Sequence, residues 1–285
     1  MSDFLSTQRT IFKDGTFNLN PSTGGINVPE WAFKPDEWTV AFLRGLTKIA
    51  VGWEGKRVWE VGVCTGINLV VLRNLAPSAQ WYFSDYNTRC VSLALENLRL
   101  FNEDLKRFHP LTGSWDLVTP PDGGRLPSPK VDVIFGCLPQ VPAEINLAIG
   151  DRIAHYYDPR HYPEAHLNAL GLGLNEALLR RAKGVLRSRG MVALNLSGRP
   201  GLQRLHLLFQ ETGYHSEVIY QTTIPQHPET SLASLAALEG SGQSDFEFFT
   251  DASCASPLNA RDAETRRQAG KSVFHNIYVI AGTLT

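Results

Sequence analysis

The first residues able to do chemistry lie in a turn that carries two glycines. An apolar stretch ends in Glu60, a turn through Gly62 and Gly66 follows, and Asn68 opens an apolar, helix-like stretch. Glycine lets the backbone turn sharply out of a strand and approach a ligand closely. The next apolar stretch ends in Asp85, about 20 residues further on, where a carboxylate can accept hydrogen bonds from both hydroxyls of a ribose. The pattern therefore predicts a site for a nucleotide-like cofactor.

Two other phosphate-binding patterns fit this turn poorly. No Gly-Lys-Ser or Gly-Lys-Thr follows the glycines, which argues against a cradle for a nucleoside triphosphate. Cys64 replaces the middle glycine of a dinucleotide fingerprint, so the turn offers no close approach to a pyrophosphate. An ordinary strand-turn-helix with a solvated aspartate is the remaining alternative.

The motif Glu-x-Gly-x-x-x-Gly, followed by a strand that ends in aspartate, resembles the first two motifs of class I S-adenosylmethionine-dependent methyltransferases. The resemblance implies S-adenosyl-L-methionine as the cofactor, with the glycine turn against its methionyl part and Asp85 on its ribose. It also places the adenine near Ser114 and Trp115, where Trp115 can stack on the base or simply pack at an edge. The predicted cofactor-binding residues are Glu60, Gly62, Thr65, Gly66, Asn68, Asp85, Tyr86, Asn87, Ser114, Trp115, Gly136 and Cys137.

A second informative stretch, Gly136 to Gln140, follows the apolar segment 131–135. In methyltransferases that modify glutamine amides or exocyclic base nitrogens, this place carries Asn-Pro-Pro-Tyr, whose asparagine and tyrosine hold the planar nitrogen. Here only Pro139 of that motif remains. The groups that bind a planar NH₂ are therefore missing.

Candidate acceptor residues surround these motifs. Arg199 follows an apolar strand between glycines, so its guanidinium can bind a carboxylate with two parallel hydrogen bonds; a surface arginine is the alternative. Trp31, Phe33 and Trp38 lie close together and can form a cation-binding wall, or pack in the core of a cap helix. The predicted substrate-binding residues are Trp31, Pro139, Gln140, Tyr156, Tyr157, Asn195 and Arg199. Three histidines at 155, 161 and 166 match no common metal-ligand spacing, so no metal is predicted.

Several further motifs narrow the resemblance. They include Val28-Pro29, the stretch 132–142 (DVIFGCLPQVP), Gly198-Arg199-Pro200-Gly201 and the stretch 246–249 (FEFF). Together they look like the methyltransferase domain of the methionine S-methyltransferases, in the short bacterial form without the aminotransferase-like extension of plant members. This implies methyl transfer to the thioether sulfur of L-methionine, giving S-methyl-L-methionine, as the first step of dimethylsulfoniopropionate synthesis or for sulfonium metabolism.

The chemistry expected of the residues agrees with this resemblance. A thioether has no proton to lose, so no general base is required, and no catalytic residue is predicted beyond those that position the reactants. Alignment of reacting groups can lower a barrier by about 7 to 11 kcal/mol. An N-methyltransferase acting on a glutamine amide or a small amine is one alternative, and a non-catalytic cofactor-binding module is another.

The expected architecture is α/β. The elements and the resemblance predict a Rossmann-like seven-stranded sheet, mostly parallel with an antiparallel last strand, plus an N-terminal cap and insertions. The expected organisation is an arm and cap helix over 1–50 and a methyltransferase domain over 51–285, with insertions at 142–168 and 225–270.

The composition of the chain indicates which partners and which cellular location to expect. The 285 residues include 27 basic and 28 acidic ones, a net charge of −1, so no broad field attracts nucleic acid or a membrane surface. Four scattered cysteines, without a Cys-x-x-Cys pair or a secretory leader, favour a reduced, cytoplasmic setting. The expected partner is the small molecule L-methionine, with a homodimer left open.

Overall fold

The computed structural model describes residues 26–101, 104–111, 130–140, 166–227, 230–242 and 244–285. The predictions for Ser114, Trp115, Tyr156 and Tyr157 lie outside these residues.

The centre of the molecule is a single sheet. Its principal strands are β1 (Arg57–Val61), β2 (Gln80–Ser84), β3 (Phe108–Pro110), β4 (Val131–Gly136), β5 (Leu186–Ser197), β6 (Tyr214–Pro225) and β9 (Phe274–Leu284), and two short strands, β7 (Phe248–Phe249) and β8 (Pro257–Leu258), join it beside β9. The principal strands lie in the order β3-β2-β1-β4-β5-β9-β6. The pairs from β3 to β5 are parallel, whereas β9 is antiparallel to both of its long neighbours. This confirms the predicted α/β sheet, mostly parallel with an antiparallel last strand; the sequence predicted seven strands, and the described sheet has nine because β7 and β8 add to it.

Helices cover both faces of the sheet. The helices are α1 (Glu37–Ala50), α2 (Ile67–Leu72), α3 (Thr88–Leu100), α4 (Gly173–Ala182), α5 (Leu202–Glu211), α6 (Ala233–Gly240) and α7 (Ala260–Gln268). One cluster of buried side chains joins β1, β4 and β5 to α4 and α5, and a second joins the opposite face to α1, α2 and α3. The central strands β1 and β4 are buried on both faces, as expected for near-continuous apolar runs in a parallel sheet.

The sequence predicts a helix from about Asp36, after Pro35, and α1 begins at Glu37. The Asp36 side chain accepts from the backbone N–H of Trp38 and Thr39, and the Thr39 side chain accepts in return from the Asp36 N–H, which forms a capping box. The apolar face of the helix buries Phe42, Leu43 and others against the sheet. This cap helix is therefore part of the main core.

The end of α4 differs from the sequence prediction. The amphipathic pattern predicts a helix over 171–187, stopped by Gly190, yet the helix ends at Ala182 and β5 begins at Leu186. The N–H of Val131 donates to the carbonyl of Val185 at 3.0 Å, and Leu186 pairs with Val131 in the sheet. Burial of Val185 and Leu186 beside β4 therefore outweighs the local helical pattern.

Among the described residues, no helix has both the length and the apolar character needed to cross a membrane.

Candidate cofactor and acceptor site

A cavity of about 390 Å³ lies where several parallel strands end. Its lining includes the turn 62–65 after β1, Asp85 and Tyr86 after β2, the stretch 137–140 after β4, and Arg199 after β5. Residues at the beginning of α1 form another wall. The carboxyl ends of the strands are where open α/β sheets bind ligands, so this cavity is the candidate site.

The turn after β1 is tied to β2. Gly62 has φ of 75°, and its N–H donates to the carbonyl of Ser84 at 2.9 Å. Cys64 also has a positive φ, 44°, and its N–H donates to Asp85 Oδ2 at 2.9 Å. A Cβ at Gly62 would lie 3.1 Å from Leu138 Cδ2. The conformation of the turn and the position of Asp85 are therefore fixed together.

Asp85 is 7% exposed and lines the cavity. Its Oδ2 accepts from the N–H of Cys64, and its Oδ1 accepts from the N–H of Asn87 at 2.9 Å. Each carboxylate oxygen has more than one lone-pair site, so Asp85 retains acceptor capacity after these two bonds. Its placement fits the binding of neighbouring hydroxyl groups.

The second glycine of the turn contacts protein. Gly66 is buried with φ of 73°, and a Cβ there would lie 2.8 Å from the Cβ of Ala94 in α3. Gly66 is not part of the cavity lining, whereas its neighbour Thr65 is. Absence of a side chain at Gly66 therefore lets α2 begin against α3.

Glu60 and Asn68 form a buried polar pair beside the cavity. Asn68 Nδ2 donates to Glu60 Oε1 at 2.6 Å, and Asn68 also lines the cavity. Glu60 Oε2 and Asn68 Oδ1 are buried and have no hydrogen-bond partner among the residues described. Burial raises the pKa of Glu60 well above its ordinary value, and the bond from Asn68 offsets part of this rise. Two unpaired acceptors fit a ligand that brings hydrogen-bond donors.

Three other predicted cofactor residues lie at different depths. Tyr86 is 40% exposed and lines the cavity. Asn87 caps α3, with its side chain accepting from the N–H of Arg89 at 3.1 Å, and lies outside the lining. Gly136 also lies outside the lining; a Cβ there would meet the carbonyl oxygen of Val61 at 2.9 Å, so the residue permits close pairing of β4 with β1.

Cys137 lies in the wall of the cavity. Its Sγ accepts from Asn195 Nδ2 at 3.4 Å. Burial raises the pKa of the Cys137 thiol to about 12. The side chain is therefore a neutral thiol near pH 7, neither a base nor a nucleophile.

The predicted acceptor residues divide into two groups. Pro139, Gln140 and Arg199 line the cavity. Asn195 is fully buried and bonds to Cys137 and to the carbonyl of Trp38, so it acts behind the wall. Trp31 also lies outside the lining, with the Arg89 guanidinium carbon 4.1 Å from the centre of its ring.

Arg199 is held from behind by its neighbours. Its Nε donates to Ser197 Oγ at 2.9 Å, and its guanidinium carbon lies 5.9 Å from the centre of the Trp38 ring. Burial lowers the pKa of Arg199 to about 10, so it stays charged near neutral pH. No acidic residue in the described part of the chain forms an ion pair with it. The guanidinium is therefore placed to bind an anion in the cavity.

A buried histidine supports this arginine. His275 Nδ1 lies 3.1 Å from the carbonyl oxygen of Asn276 and 3.3 Å from Ser197 Oγ. Because a carbonyl only accepts, the Asn276 contact favours the tautomer with the proton on Nδ1. Burial and the charge of Arg199 lower the pKa of His275 well below its ordinary value. A neutral imidazole therefore packs behind the cation.

Of the three aromatic residues that the sequence predicted for the wall, two line the cavity and Trp31 does not, and the sequence analysis missed an acidic residue there. Phe33 and Trp38 line the cavity, as does Asp36, which the sequence indicated only as the start of a helix. Its position between two aromatic residues of the predicted wall was the available signal. In the described part of the chain, no group of three or more His, Cys, Asp or Glu residues could hold a metal ion.

Comparisons with known proteins find sequence similarity to methyltransferases. No family model matches it. It is 25% identical over 273 residues to methionine S-methyltransferase of Zea mays and 26% identical over 273 residues to that of Arabidopsis thaliana. Each alignment covers 87% of this chain but only 24% and 25% of the respective relative, so the chain spans about a quarter of their length.

A solved structure supports the fold. A proposed RNA methyltransferase from Pyrococcus horikoshii superposes with a TM-score of 0.50 at 13% identity, with 100% of both chains covered. At this identity the likeness concerns the fold alone. The resemblance carried by the motifs is nevertheless confirmed: the chain is a relative of the methionine S-methyltransferases, built on the class I methyltransferase fold.

Proposed function

We propose that this protein transfers a methyl group from S-adenosyl-L-methionine to the thioether sulfur of L-methionine, giving S-methyl-L-methionine. The observation that carries the proposal is Arg199, charged and without an acidic partner in the described structure, in the wall of a cavity at the strand ends. The names of the curated relatives support the same reaction.

The residues around the turn after β1 fit S-adenosyl-L-methionine. Asp85 would bind the ribose hydroxyls with its remaining lone pairs, and the turn 62–65 would face the methionyl part. Asn68, which lines the cavity and has an unpaired Oδ1, would suit the ammonium group at that end, with Glu60 behind it. When bound, the cofactor supplies a methyl group activated on a sulfonium.

The acceptor side requires no general base, because a thioether attacks with a lone pair and releases no proton. Cys137, which takes the place of the asparagine in the altered Asn-Pro-Pro-Tyr stretch and lines the cavity, is a neutral thiol whose pKa is raised to about 12. Such a group neither removes a proton nor competes strongly for the methyl group. The wall therefore suits a reaction that depends on alignment.

Arg199 would bind the carboxylate of the amino acid. A half-buried cation is costly without a counter-charge, and its lowered pKa reflects that cost. A carboxylate in the cavity would compensate the charge through two parallel, charge-assisted hydrogen bonds. Gln140, whose Oε1 accepts from the N–H of Ser197, would bind polar atoms nearby through its remaining amide groups.

Aromatic side chains would stabilise positive charge throughout the reaction. Phe33, Trp38 and Tyr86 line the cavity. Methyl transfer to a thioether moves positive charge from one sulfonium to another, and an aromatic face near a cation contributes about 0.5 to 2 kcal/mol. Tyr156 and Tyr157 remain predictions for the same role, whereas Trp31 lies outside the lining.

Three finer parts of the proposal rest on the resemblance and on composition. They are a place at the first step of dimethylsulfoniopropionate synthesis, a cytoplasmic location and assembly as a homodimer. Each would need its own test in the source organism or by measurement of mass in solution.

The experiment is incubation of the purified protein with S-adenosylmethionine and four acceptors: L-methionine, D-methionine, 3-methylthiopropionate and homocysteine. Mass spectrometry reads S-adenosylhomocysteine and each methylated product. We expect turnover with L-methionine to S-methylmethionine. Cofactor binding without turnover on any of the four acceptors would contradict the proposed function.

A further inference from the structure

The cavity carries opposite charges on two of its walls. Arg199 follows β5, Asp36 immediately precedes α1, and both residues line the cavity. The described structure contains no ion pair between them. Lys34, two positions before Asp36, also lines the cavity and is not ion-paired with Asp36 in the described structure. An occupant that carries both an anion and a cation would therefore compensate two charges at once.

Only one oxygen of the Asp36 carboxylate accepts hydrogen bonds from the helix that it caps. Oδ1 accepts from the N–H of Trp38 at 3.0 Å and from the N–H of Thr39 at 3.2 Å. The Thr39 hydroxyl is also directed to Oδ1, at 3.5 Å, and no described residue donates to Oδ2. One oxygen thus caps α1 while the other is left for a ligand. Asp36 is exposed at the mouth of the cavity, yet desolvation by its surroundings raises its pKa, a cost that a neighbouring cation would reverse.

The other carboxylate in the described lining, that of Asp85, lies on the cofactor side of the cavity. Both oxygens of Asp85 accept from backbone N–H groups, at Cys64 and Asn87, within the turns predicted to hold the cofactor. Asp36 is therefore the carboxylate available on the acceptor side.

Trp38 links the two charged residues. Its backbone N–H donates to Asp36 Oδ1, and its ring centre lies 5.9 Å from the guanidinium carbon of Arg199. Its carbonyl is fixed by Asn195 Nδ2 at 2.9 Å. The arrangement of the carboxylate and the guanidinium around the cavity is thus set by one anchored residue.

We propose that Asp36 binds the ammonium group of a zwitterionic α-amino acid whose carboxylate is bound by Arg199. This rests on the proposed function and deepens it, because it restricts the acceptor to thioethers with a free α-amine. Apolar lining residues such as Phe42, Leu138 and Leu174 leave room for the thioether chain.

The test compares two acceptors and two variants. 4-(Methylthio)butanoate is methionine without its amine, and Asp36→Asn removes the charge while keeping a residue that caps helices equally well. We expect the KM for L-methionine to rise about tenfold to a hundredfold in the variant, the size of a charged hydrogen bond. The KM for 4-(methylthio)butanoate should change less than twofold. Asp104→Asn is the matched control, because Asp104 also accepts from a backbone N–H, that of Lys106, and lies outside the cavity lining.

The outcomes separate this inference from the proposed function. If the wild-type protein methylates L-methionine and Asp36→Asn leaves the ratio of the two KM values unchanged, the inference alone is overturned. If the wild-type protein methylates no thioether, the proposed function fails and the inference falls with it. Should Asp36→Asn not fold, the wild-type protein still decides, because a KM for 4-(methylthio)butanoate within twofold of that for L-methionine would exclude an ammonium-binding residue.

Discussion

Asn195 Nδ2 in β5 donates to the carbonyl oxygen of Trp38 in the first turn of α1, at 2.9 Å. The same Nδ2 lies 3.4 Å from Cys137 Sγ after β4. One buried amide thus joins the cap helix to two strand ends. Asp36 and Trp38 line the cavity, so this amide helps to fix the position of these two residues relative to the cofactor turn.

Replacing Asn195 by leucine should destabilise the protein. The substitution removes a hydrogen bond whose partner stays inside the protein, which costs about 1 to 3 kcal/mol of unfolding free energy. Urea denaturation followed by circular dichroism measures it. Asn175→Leu is the matched control, since Asn175 is also fully buried but both of its side-chain polar atoms lack partners in the described structure. Equal losses in the two variants would show that the bond to Trp38 contributes nothing.

Arg199→Ala should weaken methionine binding specifically. Loss of charged hydrogen bonds worth about 1.5 to 3 kcal/mol raises the KM for L-methionine about tenfold to a hundredfold. The dissociation constant of the cofactor, measured by calorimetry, should stay within twofold. Arg199→Lys should recover only part of the loss, because lysine keeps the charge but not the planar pair of donors.

The control for Arg199 is Arg99→Ala. Arg99 is exposed near the end of α3 and outside the cavity lining, so its replacement should change neither constant. An unchanged KM for L-methionine in Arg199→Ala would exclude carboxylate binding by this residue.

The elements that hold the cofactor turn were predictable because their signals are local. The strand before Glu60, the glycine at Gly62 and the strand that ends before Asp85 follow from residue types within a few positions of each. Buried parallel strands are continuous apolar runs, and a glycine in a tight turn adopts a positive φ at little cost. The mostly parallel sheet with an antiparallel last strand followed from resemblance to a known fold.

Other features depend on contacts between distant parts of the chain. Asn195 and Trp38 are 157 positions apart, and no local pattern links them. Gly66 was predicted to admit a ligand, yet its absent Cβ makes space for Ala94 in another helix. The early end of α4 likewise follows from pairing of Leu186 with Val131. These details are set by tertiary packing, so residue type alone does not reveal them.

The neutral state of His275 should make stability depend on pH. Its folded-state pKa is lowered, so between that value and the unfolded value near 6.5 the unfolded chain binds a proton that the folded protein does not. The free energy of unfolding should therefore fall as pH drops below about 6.5, by at most about 1.4 kcal/mol per pH unit from this group. Ser197, Trp38 and Arg199 face the imidazole, and of these only Arg199 is charged.

His275→Gln should remove the contribution of this imidazole to the pH dependence of the unfolding free energy. Denaturation curves at pH 5, 6 and 7 compare the variant with the wild type, and His215→Gln at an exposed position is the control. Carboxylates such as Glu60, whose folded-state pKa is raised, contribute a slope of opposite sign, but that contribution is common to all three proteins. Identical slopes in His275→Gln and the wild type would mean that the imidazole is not held neutral.

Gly66→Ala should destabilise the protein through two separable effects. Alanine at φ of 73° is strained by about 1 to 2 kcal/mol, and its Cβ would lie 2.8 Å from Ala94 Cβ, closer than carbon atoms pack. Gly55→Ala isolates the first effect, because Gly55 has φ of 69° and nothing within 4 Å of an added Cβ. The difference in unfolding free energy between the two variants therefore measures the clash between α2 and α3, and we expect about 1 to 3 kcal/mol. A difference near zero would mean that the two helices separate at little cost, and Gly66 would then be needed for its backbone conformation alone.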